Sequence, residues 1–161
     1  MKILFVIDKI ELKYFEFNNL VTNFWIIKEF LDRGNEVFIT TIPNLSLKAD
    51  RAFTKCYETF CDKGNIFYKD VKIEREIDDF ELVMFRPDPP VDIDYINATY
   101  IFDFVKKPRV INSPSSIRDF NEKLHSVYFK ELMSENIVTA SLKEIEDFLA
   151  INKQIVLKPL N

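Results

Sequence analysis

The chain has 161 residues, room for one domain or for one domain and part of another. With 47% hydrophobic and 30% charged residues it has the composition of a folded globular protein, which excludes a disordered chain. A net charge of -4 offers no basic footprint, so nucleic acid and anionic membrane surfaces are excluded as partners.

Residues 2–8, KILFVID, form an apolar run ending in a carboxylate, the pattern of a buried parallel strand whose Asp8 sits at the C-terminal edge where ligands gather. The run is too short for a secretory signal and far too short to span a bilayer, so the chain reads as cytoplasmic. Leu20, Val21, Phe24, Ile27 and Leu31 recur at helical spacing and the pattern stops at Arg33-Gly34, which predicts a helix with a C-terminal glycine. Residues 36–41, EVFITT, read as a second strand, and strand, helix, strand implies a parallel unit. Between Leu45 and Ile73 there is no helical period. Alternating stretches around 52–57 and 66–73, split by Asp62-Lys63-Gly64-Asn65, predict a β-hairpin.

Residues 81–85, ELVMF, form another buried strand, running into Arg86-Pro87-Asp88-Pro89-Pro90, where three prolines force a rigid extended loop. Asp94 is expected to cap a helix from Tyr95 to about Val105, followed by a short strand at 110–112. Ser113-Pro114 opens the next helix with proline at its first position, and Ser141 to Glu144 is a capping box for an amphipathic helix through Leu149. Residues 154–157 are expected to form a closing strand, and a domain boundary is placed after Asn112. Cys56 and Cys61 stand five apart with no His or second Cys pair to complete a zinc set, and read as ordinary reduced thiols. The chain holds only two glycines, Gly34 and Gly64, and neither stands in a loop able to cradle a phosphate.

Five segments in register, Met84 to Pro90, Asn97 to Ile101, Val110 to Ser115, Arg118 to Leu124 and Ile155 to Leu160, resemble prokaryotic glutathione synthetase. The resemblance implies an α/β fold: a Rossmann-like parallel sheet over residues 1–112, the pre-ATP-grasp domain, followed over 113–161 by the truncated start of an ATP-grasp domain. By resemblance Lys123 and Lys158 are ATP contacts, while Arg86 and Asp88 lie in the loop facing the peptide substrate. The residue types suit those roles, since an ammonium is a point charge for phosphate oxygens and a guanidinium can hold a carboxylate with two parallel hydrogen bonds. Without the resemblance, Lys123 and Lys158 read as surface lysines and Arg86 as a partner for Asp88 or Asp92. His125 is given no role.

The family joins γ-glutamylcysteine to glycine through an acyl phosphate, using ATP and magnesium. The sequence departs from the family at 14–20, YFEFNNL, where a Lys-Asp-Ser or Lys-Asp-Thr stretch is usual, and at Pro87, where lysine is common. The family's glycine-rich loop is expected directly after Lys158-Pro159-Leu160, with magnesium ligands further on. The chain alone is therefore expected to be inactive, with no catalytic or metal-binding residue of its own and weak affinity for ATP. Two readings follow: half of a split ligase completed by a second chain carrying the rest of the ATP-grasp domain, or a non-catalytic remnant or partner-binding module. Homo-oligomerisation is open to either. A ligase from the wider ATP-grasp group is disfavoured by the Arg86 to Tyr100 pattern.

Overall fold

The computed structural model describes residues 1–9 and 20–160. Most of the departing stretch, 14–19, lies outside the described residues, as does Asn161. The backbone divides into two compact units, Met1–Arg118 and Asp119–Asn161. In chain order the first contains β1 (Lys2–Ile7), α1 (Thr22–Asp32), β2 (Glu36–Thr41), β3 (Leu45–Lys48), β4 (Arg51–Asp62), β5 (Asn65–Tyr68), β6 (Ile73–Glu76), β7 (Leu82–Phe85), α2 (Ile93–Phe102), β8 (Arg109–Ile111) and α3 (Pro114–Asp119). The second contains α4 (Glu122–His125), a 3₁₀ stretch Ser126–Leu132 and α5 (Leu142–Asn152).

Residues Ile3 to Ile7 are buried on both faces, as the unbroken apolar run of β1 requires. β1 pairs in parallel with β2 on one side and β7 on the other, and β8 extends the parallel set beyond β7. Alternation then sorts the side chains. Leu4 and Val6 join Phe38, Val83 and Phe85 beneath α2, while Ile3, Phe5 and Ile7 join Val37 and Ile39 beneath Phe24 and Ile27 of α1. Phe85 meets Tyr95 and Phe102 of α2 edge to face, both at 5.3 Å between centroids, a geometry aromatic pairs prefer. α1 stops as its glycine predicts: Gly34 has φ +76°, its N–H donates to Leu31 O at 2.9 Å, and Asn35 N donates to Phe30 O at 3.1 Å.

The parallel core carries an antiparallel extension that the sequence indicates only as a hairpin. β4 and β5 form that hairpin through Lys63 and Gly64, both at positive φ as a two-residue turn demands. β4 is 12 residues long and also pairs with β2, β3 and β6. Its buried positions run Ala52, Thr54, Cys56 and then Thr59, so the alternation slips by one where β4 passes from β3 and β6 to β2 and β5. Because β2 and β4 share only two register pairs, buried hydroxyls reinforce the junction. Thr54 Oγ1 donates to Thr40 Oγ1 at 2.9 Å, Thr40 Oγ1 donates to Lys55 O at 2.8 Å, and Thr59 Oγ1 donates to Val37 O at 2.7 Å.

Three expectations about element ends change. The second helix of the first unit begins at Ile93, capped by Asp92 rather than Asp94. Asp92 accepts from Tyr95 N at 2.9 Å, and Asp94 falls in the first turn. That helix ends at Phe102, three residues earlier than predicted, because the backbone tightens into 3-residue bonds from Asp103, Phe104 and Val105. Residues 154–157 form no strand, since a strand needs a neighbour's backbone and the described part of the second unit contains none. Ser141 does cap α5, accepting from Glu144 N at 3.4 Å, but Thr139 takes half of the capping box. Its Oγ1 accepts from Ser141 N at 3.0 Å and donates to the Glu144 carboxylate.

Thr40→Val removes the acceptor of the buried Thr54 hydroxyl and a donor to the Lys55 carbonyl, and is expected to cost about 1–3 kcal/mol. Thr54→Val costs less, because Thr40 still donates to Lys55. The double variant should be more stable than Thr40→Val alone, since it removes the stranded donor. Urea unfolding of the three variants checks this, and strictly additive losses would contradict it.

Candidate functional site

The C-terminal edge of the parallel strands gathers the polar residues of the first unit. Asp8 follows β1, Arg86 follows β7 and Asn112 follows β8. Arg86 N donates to Val6 O at 3.0 Å and so continues the ladder one residue past β7. The proline loop beyond it is pinned at several points. Asp88 N donates to Asp8 Oδ2 at 2.8 Å, Tyr95 Oη donates to Pro87 O at 3.4 Å, and Asn112 Nδ2 donates to Phe85 O at 3.3 Å. Proline supplies no N–H of its own, so borrowed partners of this kind are what hold such a loop. Between the loop and the end of β2 lies an open cleft of about 310 Å³, lined among others by Asp8, Lys9, Thr41, Pro87, Asp88 and Tyr95.

Burial raises the pKa of the Asp8 carboxyl above its ordinary value, and the like charge of Asp88 adds to this, while the Asp88 N–H works against it. The cleft wall is thus a carboxylate held partly against its preference by a structural hydrogen bond.

Arg86 and Asp88, two residues apart, serve different surfaces. Asp88 is exposed and lines the cleft. Arg86 lies outside the cleft, because its Nε donates to Oδ1 of Asn23 on α1 at 2.6 Å. Among the described residues it forms no ion pair with Asp88 or Asp92. Asn23 is the residue that sequence reasoning missed. It is 4% exposed at the second position of α1, and its only signal was a polar residue on the apolar side of that helix, beside Phe24.

Lys123 and Lys158 both lie in the second unit. Lys123 is in the first turn of α4, which Asn121 caps by accepting from Lys123 N at 3.0 Å and Leu124 N at 3.3 Å. Lys158 is exposed in the irregular segment after α5. The same Asn121 side chain joins the two motifs, because its Nδ2 donates to Leu160 O at 2.7 Å across 39 residues. His125 closes α4, with Nδ1 2.9 Å from Asn121 O and its ring against Phe120 and Tyr128, a packed position.

Among the described residues no group of three His, Cys, Asp or Glu side chains could hold a metal ion. The lysine-bearing motifs, in contrast, have donor chemistry that fits phosphate oxygens. Both cysteines are free. Burial pushes the Cys56 thiol up to about 11, so it is no nucleophile at neutral pH. Among the described residues no helix is long and apolar enough to cross a membrane.

An α/β unit with a pinned loop at its parallel strand ends, followed by a small unit opening on an Asn-Glu-Lys turn, has the layout of a pre-ATP-grasp domain leading into an ATP-grasp domain. Comparison with protein families agrees. The model for the N-terminal domain of prokaryotic glutathione synthetase matches residues 1–118, and the model for the ATP-grasp domain of the same enzymes matches 122–161. The chain belongs to the prokaryotic glutathione synthetase family. It is 33% identical over 144 residues to the glutathione synthetase of Yersinia pestis, covering 87% of this chain and 45% of that protein. It is 42% identical over 88 residues to that of Synechococcus elongatus, covering 53% and 27%. It is 30% identical over 163 residues to that of Prochlorococcus marinus, covering 99% and 51%. The chain therefore spans about half the length of the curated relatives it matches.

A carboxyl with a raised folded-state pKa binds more protons folded than unfolded. Its contribution to stability is favourable at low pH and is lost as pH rises from the ordinary carboxyl value through the raised one. Asp8→Asn keeps an acceptor oxygen for Asp88 N without the charge, so the variant should melt above wild type at neutral pH. The gap should close as the pH falls through the carboxylate range. Paired thermal melts across that range check this, and a gap independent of pH would contradict it.

Proposed function

We propose that this chain supplies the front portion of a glutathione-forming ligase site in the cytoplasm. In this reading the loop after β7 takes γ-glutamylcysteine, Arg86 holding a substrate carboxylate and Asp88 facing the cleft, while Lys123 and Lys158 contact the phosphates of ATP. The chain's own residues bind and orient. A guanidinium fork fixes a carboxylate in one plane, and two ammonium groups offset the charge of a polyphosphate. The bound nucleotide would supply the activating phosphoryl group. The rest of the site would correspond to the portion of the relatives that this chain does not match.

The observation that supports this most strongly is the Asn121 to Leu160 hydrogen bond. It seats two lysine motifs far apart in sequence next to one another, as a shared ligand would require. Both motifs fall within the span matched by the ATP-grasp domain of the family.

The test is calorimetric titration of the chain with Mg-ATP and with γ-glutamylcysteine, followed by a glutathione-formation assay after adding the C-terminal portion of a relative's enzyme. Glutathione should form only in the mixture. Arg86→Ala should lower apparent dipeptide affinity by about tenfold to a hundredfold, the loss expected for a charge-assisted pair. Lys158→Ala should weaken the nucleotide and leave the dipeptide unaffected. A mixture that forms no glutathione, with a chain that binds neither ligand, would overturn the ligase reading in favour of a non-catalytic module.

A further inference from the structure

The side chain of Asn23 spans the gap between α1 and the strand edge to hold one residue, Arg86, at two points. Its Oδ1 accepts from Arg86 Nε at 2.6 Å, and its Nδ2 lies 3.5 Å from Arg86 O, 63 residues away. The orientation of the amide follows from chemistry, because an arginine Nε–H can only donate and must face the oxygen. Asn23 is buried, whereas Arg86 is half-buried. A buried amide therefore fixes a cation that reaches solvent.

We infer that Asn23 is a positioning residue for Arg86: it occupies the Nε edge of the guanidinium and so presents the two Nη groups end-on to a carboxylate of the substrate. The inference rests on the reading of Arg86 as a substrate contact. A guanidinium has two edges able to receive a carboxylate in bidentate fashion, one formed by Nε and an Nη, the other by the two Nη groups. With Nε engaged, only the second is open, and the last torsions of the side chain are set before the ligand arrives. Among the described residues no carboxylate pairs with Arg86, so none of them competes for the Nη edge with an incoming anion. Of the carboxylates nearest in sequence, neither Asp88 nor Asp92 forms an ion pair with Arg86. Asp88 lines the cleft and the Asp92 side chain caps α2. The two halves of the loop are thereby divided, with Asp88 and Asp8 on the cleft and Arg86 aimed from the α1 side.

The proposal concerns geometry, so its test needs a readout of geometry. A hydrogen-bonded arginine Nε–H exchanges slowly and gives a resolved nitrogen-15 resonance, assigned here by its loss in Arg86→Lys. Asn23→Ala should abolish or broaden that resonance. It should also weaken γ-glutamylcysteine roughly two- to tenfold, as expected when the ligand itself must immobilise a rotamer-rich side chain. Asn23→Asp is nearly isosteric and provides a second variant should Asn23→Ala fold poorly. It should keep the resonance yet weaken the dipeptide, because its carboxylate would neutralise the guanidinium meant for the substrate. If Arg86→Lys weakens the dipeptide while both Asn23 variants bind it as wild type does, Asn23 is structural only and the inference is wrong. If Arg86→Lys itself binds unchanged, or the wild-type chain takes up no dipeptide, Arg86 is not a substrate contact, and the inference falls with that reading.

Discussion

Burial of β1 on both faces is the constraint on which the first unit depends. A strand with apolar residues on both sides cannot lie at a sheet edge, so it must accept a neighbour on each side and a helix above and below. β2 and β7 provide the neighbours, and α1 and α2 the covers. Parallel pairing then brings the C-terminal ends of β1, β7 and β8 to one edge, where the chain places Asp8, Arg86 and Asn112. The polar residues of the candidate site meet because of how the apolar ones pack.

The elements with a one-dimensional signature were legible in the sequence. The unbroken run of β1, the glycine stop of α1 and the turn at Lys63-Gly64 each rest on a local rule, and each forms where that rule places it. What was not legible depends on partners distant in sequence. β4 reads as a short alternating stretch because its alternation slips at the point where it exchanges neighbours, and a period-2 pattern broken in the middle is visible only once those neighbours are known. The cap of α2 was misplaced by two residues because two aspartates stand before the helix. Only the direction of the incoming chain, set by the proline loop, decides which one reaches Tyr95 N. The site divides in the same way. The loop carrying Arg86 and Asp88 was legible from its prolines and its likeness to relatives, whereas Asn23 was not, since its partner lies 63 residues away.

The loop after β7 separates two chemistries that its sequence sets side by side. Extended backbone alone would place residues 86 and 88 on one face. The hydrogen bonds do otherwise: Asn23 draws the guanidinium toward α1, and the Asp8 carboxylate holds the backbone at Asp88 over the cleft. A direct Arg86 to Asp88 pair would have been the simpler arrangement, and it would have neutralised the only cation in the loop. Keeping the two apart leaves a positive edge and a negative wall within one short segment, an arrangement of little value to stability alone.

The second unit reaches its local order by different means. Its described part has no sheet, and apolar side chains such as Tyr128 and Leu132 stay about four-fifths exposed, so hydrophobic burial does little to place its motifs. Capping does more. Asn121 satisfies two N–H groups of α4 with its oxygen and a distant carbonyl with its nitrogen, using both ends of one amide. Thr139 and Ser141 order the start of α5 through an equally short chain of polar contacts. Bonds of this kind each contribute only about 1 kcal/mol, but they are directional, and direction is what fixes the backbone that carries Lys123. In the first unit packing decides position and hydrogen bonds refine it. In the second the hydrogen bonds decide position, which is why α5 was legible from its cap, while α4, whose Asn121 cap was not read, and residues 154–157, whose order depends on a neighbouring strand, were not.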